Sequence, residues 1–138
     1  MPVAAQLCPC GSVSPKKVPK TFEQCCGCYI NAFDTTPAPD ALSLMRSRYT
    51  AYVLDNEAYL LATWASEHRP ASVSSDEKLK WLDLTVKKYQ RYDENSSTVE
   101  FVARYRQDGK GGRLHETSRF VRRAGRWYYL DGRERDPL

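Results

Sequence analysis

The sequence holds no uncharged apolar run near the roughly 18 residues that a membrane span needs, and no basic stretch leading into an apolar one at its start. Membrane insertion and secretion are therefore not encoded, and the expected compartment is the cytoplasm. Cysteine is absent after position 28, all five lying between Cys8 and Cys28. An odd number confined to one segment excludes a complete set of internal disulfides and a framework that staples distant parts of the chain. Histidine occurs only as His68 and His115, and no pair of acids, or of acid and histidine, stands at a diagnostic spacing. Catalysis has no support at this level. Internal repeats and long low-complexity tracts are also missing.

What is present is one ordinary domain with a small appendage. A chain of 138 residues, 41% hydrophobic and 28% charged, can bury roughly 65 to 70% of its unfolded surface, enough for a core without cross-links. The net charge of +4 is unevenly placed, with ten bases against five acids in residues 101–138 and eight against eleven in residues 31–100. Residues 1–30 lack a periodic apolar pattern and need a cross-link or a metal to be ordered. The prolines of Thr35-Thr36-Pro37-Ala38-Pro39 favour extended backbone, which sets a domain boundary near residue 36, with a metal-binding segment and linker at 1–36 and an α+β domain at 37–138.

From Asp40 the period is helical. Leu42, Met45, Tyr49, Tyr52 and Val53 form one apolar stripe, Asp40 is placed to cap, and Arg46, Ser47 and Thr50 take the other face. Asp55 or Asn56 opens a second helix in which Tyr59, Leu60, Ala62 and Trp64 crowd together, and Ser75-Asp76 opens a short amphipathic turn with Leu79 and Leu82 on one side. The period then becomes two. Leu84–Tyr92, Thr98–Tyr105, Leu114–Val121 and Trp127–Leu130 read as four antiparallel strands, with turns at Asp108-Gly109 through Gly111-Gly112 and at Ala124-Gly125. Helices gathered on one face of such a sheet make an α+β layer architecture.

Zinc takes about four thiolates at tetrahedral corners, and two close cysteine pairs joined by a loop can supply them. Cys8/Cys10 and Cys25/Cys26 are such pairs, although Cys25 and Cys28 also form a CxxC pair, so Cys28 competes with Cys26 as the fourth ligand. Gly11 and Gly27 follow the pairs, where tight turns could aim amide groups at the sulfurs. Lys16, Lys17 and Lys20 would offset the negative charge of a four-thiolate centre. The rival readings are free thiols or a disulfide, the latter weakened because adjacent Cys25 and Cys26 could pair only in strained geometry.

Cys8-Pro9-Cys10-Gly11-Ser12 with Cys25-Cys26-Gly27 resembles the SEC-C motif, a zinc knuckle also found at the end of the SecA translocation ATPase. Ala41-Leu42, the run Met45 to Tyr52, Leu60 to Trp64, Thr98 to Tyr105, Leu114-His115-Glu116, Ser118-Arg119-Phe120 and Trp127 to Gly132 follow in an order that is similar to the YchJ family. The resemblance implies an N-terminal SEC-C knuckle followed by a cystatin-like, nuclear transport factor 2-like cone, and it implies Cys8, Cys10, Cys25 and Cys26 as ligands of one structural zinc ion per chain. Two departures stand out: Val13 replaces the third small residue of the motif, and the connection from Cys10 to Cys25 holds fourteen residues, longer than the compact form. The longer loop should cost well under about 1 kcal/mol, which leaves a looser basic loop.

A cone encloses a pocket, for which the sequence offers Arg46, Tyr49, Trp64, His115 and Arg119 as candidates, with Arg46 or Arg48 reaching in to bind an anion. Glu100 and Glu116 are weaker candidates. Parity puts His115 with Arg113, Arg119 and Arg123, opposite Leu114 and Phe120, and Trp64, Trp81, Phe101, Phe120, Trp127 and Tyr129 read as core. The expected function is that of a non-catalytic, zinc-binding adaptor whose Lys16, Lys17 and Lys20 meet a protein partner. The alternatives are a small-molecule protein or enzyme that uses the cone pocket, and an RNA- or ribosome-associated factor that uses Arg119, Arg122, Arg123, Arg126, Arg133 and Arg135. Chelation should unfold residues 1–30 and leave the cone intact.

Overall fold

The computed structural model describes residues 6–73 and 79–134. Three helices, α1 (Gly27–Ile30), α2 (Ala41–Val53) and α3 (Glu57–Ala62), precede four strands, β1 (Leu79–Asp93), β2 (Ser96–Gln107), β3 (Lys110–Arg123) and β4 (Arg126–Glu134). The strands form one antiparallel meander in the order β1-β2-β3-β4. Asp108-Gly109 and Ala124-Gly125 make the two later turns with φ of 52°, 80°, 51° and 79°, the left-handed pairs that match the twist of a two-residue hairpin.

Asp40 caps α2 as its side chain accepts from Ser43 N at 2.7 Å, and Asn56, rather than Asp55, caps α3 by accepting from Tyr59 N at 3.0 Å. Of the turn expected at Lys78 to Leu82, Leu79 to Leu82 instead start β1, while Ser75, Asp76 and Lys78 lie outside the described residues. A register shift between Trp81 and Asp83 brings Trp81 and Leu84 onto the core side three residues apart, a spacing that imitates a helix.

α2 is buried on more than one side. Its stripe of Met45 and Tyr49 meets the sheet, and the face read as solvated is covered as well: Ser47 and Thr50 have no exposed surface and Arg48 is 5% exposed. Tyr59 of α3 covers Ser47, and Thr50 meets the cysteine segment. That segment is a short ribbon, bridged at Leu7 to Thr21 and Val13 to Pro19. The fourteen-residue connection turns back at Ser14 to Val18, where Ser14 N donates to Val18 O at 2.9 Å and Lys17 takes a φ of 62°. Cys8, Cys10 and Cys26 belong to the same hydrophobic core as Leu44, Met45, Phe101, Phe120 and Trp127. The far end of the cone is tied by backbone bonds in both directions, from Ala65 N to Tyr129 O and from Tyr129 N to Thr63 O, each 2.8 Å.

Candidate functional site

The sulfurs of Cys8, Cys10, Cys25 and Cys26 all lie within 4.8 Å of one another. A tetrahedron with metal–sulfur bonds near 2.3 Å has sulfur–sulfur edges of about 3.8 Å, and two edges here measure 3.6 Å (Cys10 to Cys25) and 4.0 Å (Cys25 to Cys26). All five cysteines are free, and those separations are well beyond a disulfide bond of about 2.05 Å. The donor set, its closure and its burial fit a tetrahedral thiophilic cation. Cys28 stands apart, its thiol donating to Glu23 O at 3.2 Å.

Burial, followed by the charges of Cys10 and Cys8, pushes the Cys25 thiol up to about 12. Hydrogen bonds with Cys10 and Cys8 raise Cys26, while hydrogen bonds from Cys10 and Cys26 lower Cys8. A divalent cation takes the place of the thiol protons, so uptake of metal releases them.

Helix α2 supplies the outer contacts. The Thr50 hydroxyl lies 3.7 Å from Cys8 Sγ, and Arg46 Nη1 donates to Cys10 O at 2.9 Å. Arg46 thus serves the cysteine ribbon and does not line the cone cavity, where the sequence reading had placed it. The glycine amides do not reach the sulfurs: Gly11 N donates to Cys8 O and Gly27 N to Phe22 O. Gly27 is needed for another reason, since a Cβ there would lie 2.6 Å from Phe22 O. Lys16 and Lys17 are exposed on the ribbon and Lys20 is half-buried.

A cavity of about 240 Å³ lies between α2 and the sheet. Met45, Arg48, Tyr49 and Tyr52 form the helix wall, and the opposite wall includes Trp81, Phe101, Leu114, Glu116, Phe120 and Tyr129. Of Arg46, Tyr49, Trp64, His115 and Arg119, only Tyr49 lines it, its phenol pushed up to about 12 by burial. Trp64 stands behind that lining, edge-on to Tyr129 at 5.2 Å. His115 is on the opposite sheet face with Glu100, Nε2 to Oε2 at 2.7 Å, because strand parity sends it away from Leu114 and Glu116. Arg119 is on that face too, in an exposed ion pair with Asp131 at 2.5 Å.

Sequence reasoning weighed Arg48 only with Arg46, and Glu116 only weakly, yet these are the charged groups of the cavity. Arg48 Nη1 donates to Leu60 O at 2.8 Å and Thr63 Oγ1 at 2.7 Å, and its guanidinium lies 4.8 Å and 4.5 Å from the ring centres of Trp64 and Tyr129. Burial lowers its pKa. The signal in sequence was an arginine three residues from an apolar position and one from a tyrosine, which α2 turns inward only because α3 roofs it.

Several arginines of the basic C-terminal strands are paired or stacked within the chain. Arg123 pairs with Glu67, and Arg126 lies over Phe33 at 4.2 Å. Phe120 and Trp127 are 1% and 2% exposed, so the aromatic residues that alternate with these arginines face inward.

Comparison with known proteins follows this architecture. The profile of the YchJ middle, NTF2-like domain matches residues 40–132. The chain belongs to the YchJ family. A UPF0225 protein of a Polaromonas species is 52% identical over 126 residues, covering 91% of both chains. A UPF0225 protein of Chromobacterium violaceum is 46% identical over 134 residues, which cover 94% of this chain and 93% of that one. The solution structure of a SEC-C motif containing protein from Rhodopseudomonas palustris superposes with a TM-score of 0.79 at 35% identity, over 95% of this chain and all of that one. A crystal structure of a SEC-C motif containing protein from Psychrobacter arcticus gives 0.75 at 25% identity, over 96% and 85%. The YchJ assignment and the α+β cone agree with the sequence reading, and no helix among the described residues is long and apolar enough to cross a membrane.

Proposed function

We propose that this YchJ protein is a zinc-braced protein-interaction module. One structural zinc ion on Cys8, Cys10, Cys25 and Cys26 holds the ribbon against α2, with each thiolate neutralising part of the cation's charge and the core excluding water. The observation that carries the reading is what the ribbon shows to solvent. Leu7, Val13 and Val18 are 61%, 47% and 58% exposed, and Lys16 and Lys17 stand exposed on the same ribbon. Exposed apolar side chains among cations suit a partner with apolar contacts and acidic flanks. The SEC-C motif named in the Rhodopseudomonas and Psychrobacter proteins supports the metal part. In the cell the module would act in the cytoplasm.

The test begins with native mass spectrometry of chelator-free protein. The wild type should carry one zinc per chain, Cys26→Ser should lose it and Cys28→Ser should keep it. A photo-crosslinker at position 18 should then give discrete protein adducts that charge reversal of Lys16 and Lys17 abolishes. A wild type without metal, or adducts indifferent to those lysines, would overturn the reading.

A further inference from the structure

The cone cavity carries two opposite charges that do not neutralise each other directly. Arg48 on the helix wall and Glu116 on the sheet wall both line it, and no ion pair joins them. Arg48 meets its protein acceptors through Nη1, leaving Nε and Nη2 without a partner among the described residues. On Glu116 the donors converge on one oxygen: Ser118 Oγ at 2.5 Å and Tyr129 O–H at 3.4 Å both donate to Oε2. Oε1 receives no donor among the described residues. Among the described residues the sealed side-chain polar atoms without a partner are Trp64 Nε1 and Ser97 Oγ; the spare atoms of Arg48 and Glu116 are not among them, and both residues line the cavity.

A buried cation and a half-buried carboxylate left in this state are costly unless something bridges them. Water can do so, and about 240 Å³ holds roughly eight waters at ~30 Å³ each. The remainder of the lining argues for more than water. Trp81, Phe101, Leu114 and Phe120 present apolar surface that water leaves at a gain, while a few polar groups on the facing walls, Arg48 and Glu116 among them, line the same space, the combination that marks a small-molecule site. The volume lies below the roughly 300 Å³ at which drug-sized pockets begin.

We infer that the cone is a binding site for a small zwitterion of the α-amino acid type, its carboxylate on Arg48, its ammonium on Glu116 and its apolar body among Trp81, Phe101 and Leu114. An anion alone meets Arg48 but faces the Glu116 carboxylate, and an amine alone faces the guanidinium. Only a molecule with both charges fills both vacancies, so selection works by repulsion as well as attraction. The inference does not rest on the metal or the protein partner proposed for the ribbon.

The probes are L-phenylalanine, 3-phenylpropionate and phenethylamine, which share a ring and differ in charge, titrated into the full chain and read by amide and aromatic chemical shifts and by calorimetry. L-Phenylalanine should shift cavity residues saturably and bind about tenfold or more tighter than either singly charged analogue, the worth of one charge-assisted hydrogen bond. Glu116→Gln, which keeps the shape, should weaken L-phenylalanine by about tenfold while 3-phenylpropionate binds no worse. Arg48 is left intact because it also ties α2 to α3. Absence of saturation with all three probes, or a singly charged analogue that binds as well as the zwitterion, would overturn the inference on the wild type alone. So would a Glu116→Gln chain, folded by its melting curve, that keeps the preference.

Discussion

Glu67 and Arg123 are 56 positions apart, and their side chains join the loop after α3 to the end of β3 through two hydrogen bonds. Those bonds, first from Arg123 and then from its own backbone, lower the Glu67 carboxyl from 4.5 to about 2. The folded value is the lower one. The pair therefore stabilises fully above about pH 4.5, and its contribution is lost as pH falls through about 2. Both groups are exposed, so the effect is small. Thermal melts of wild type and Arg123→Gln should differ by a few degrees at most at pH 6, converge between pH 4.5 and 2 and coincide below that; a gap that persists at pH 2 would show that Arg123 acts through packing. At this scale the clustering of the cysteine pairs was readable, since residue type and spacing are local, whereas spacing alone left Cys26 and Cys28 in competition and only the structure sets Cys28 apart. Thr50 was not readable, because its role depends on which surface of α2 the cysteine ribbon covers, and that is decided far away in sequence.

The helix α2 was legible as an element and misread as a surface. Its cap and its stripe follow from Asp40 and from Met45 and Tyr49, but an exposed opposite face is the expectation only when a helix has one neighbour. This one has three, and its polar residues are covered because each finds a partner. Ser47 O–H donates to Leu44 O at 2.8 Å, so Tyr59 O–H is the donor in the 2.7 Å bond between the two hydroxyls. Burial accordingly pushes the Tyr59 phenol up to about 12. The direction of that bond sets an order of effects. Tyr59→Phe removes the donor and leaves Ser47 its bond to Leu44 O, at a cost of about 1 kcal/mol, whereas Ser47→Ala strands the buried phenol and costs about 1 to 3 kcal/mol. Denaturant melts should place Ser47→Ala below Tyr59→Phe; the reverse order would mean the phenol finds another acceptor. The start of β1 was misread for an equally physical reason, since the register shift at Trp81 and Asp83 reproduces helical spacing inside a strand.

Across the whole molecule, the composition break near residue 36 does not coincide with a break in packing. The buried core runs from Cys8, Cys10 and Cys26 through Ala41, Leu44 and Met45 to Val99, Phe120 and Trp127. Arg46 and Thr50 add polar contacts from the same helix to the ribbon, and Arg48, Tyr49 and Tyr52 of that helix line the cavity. Four cysteine sulfurs lie within 4.8 Å of one another, and without a cation to hold them together they would be left as a mixture of thiols and thiolates, so removing a bound metal would disturb a cluster that α2 packs upon. The separable behaviour that the sequence suggests, with residues 1–30 unfolding alone, is then not expected. Chelation at neutral pH should lower the midpoint of the whole chain in a single transition, and hydrogen exchange should accelerate in Leu44 to Ala51 as well as in residues 6–30, while β2 and β3 keep more of their protection. Two resolved transitions, with exchange in α2 unchanged, would mean that the ribbon is held by the cone without holding it, and that the core on the ribbon side of α2 tolerates four free thiols.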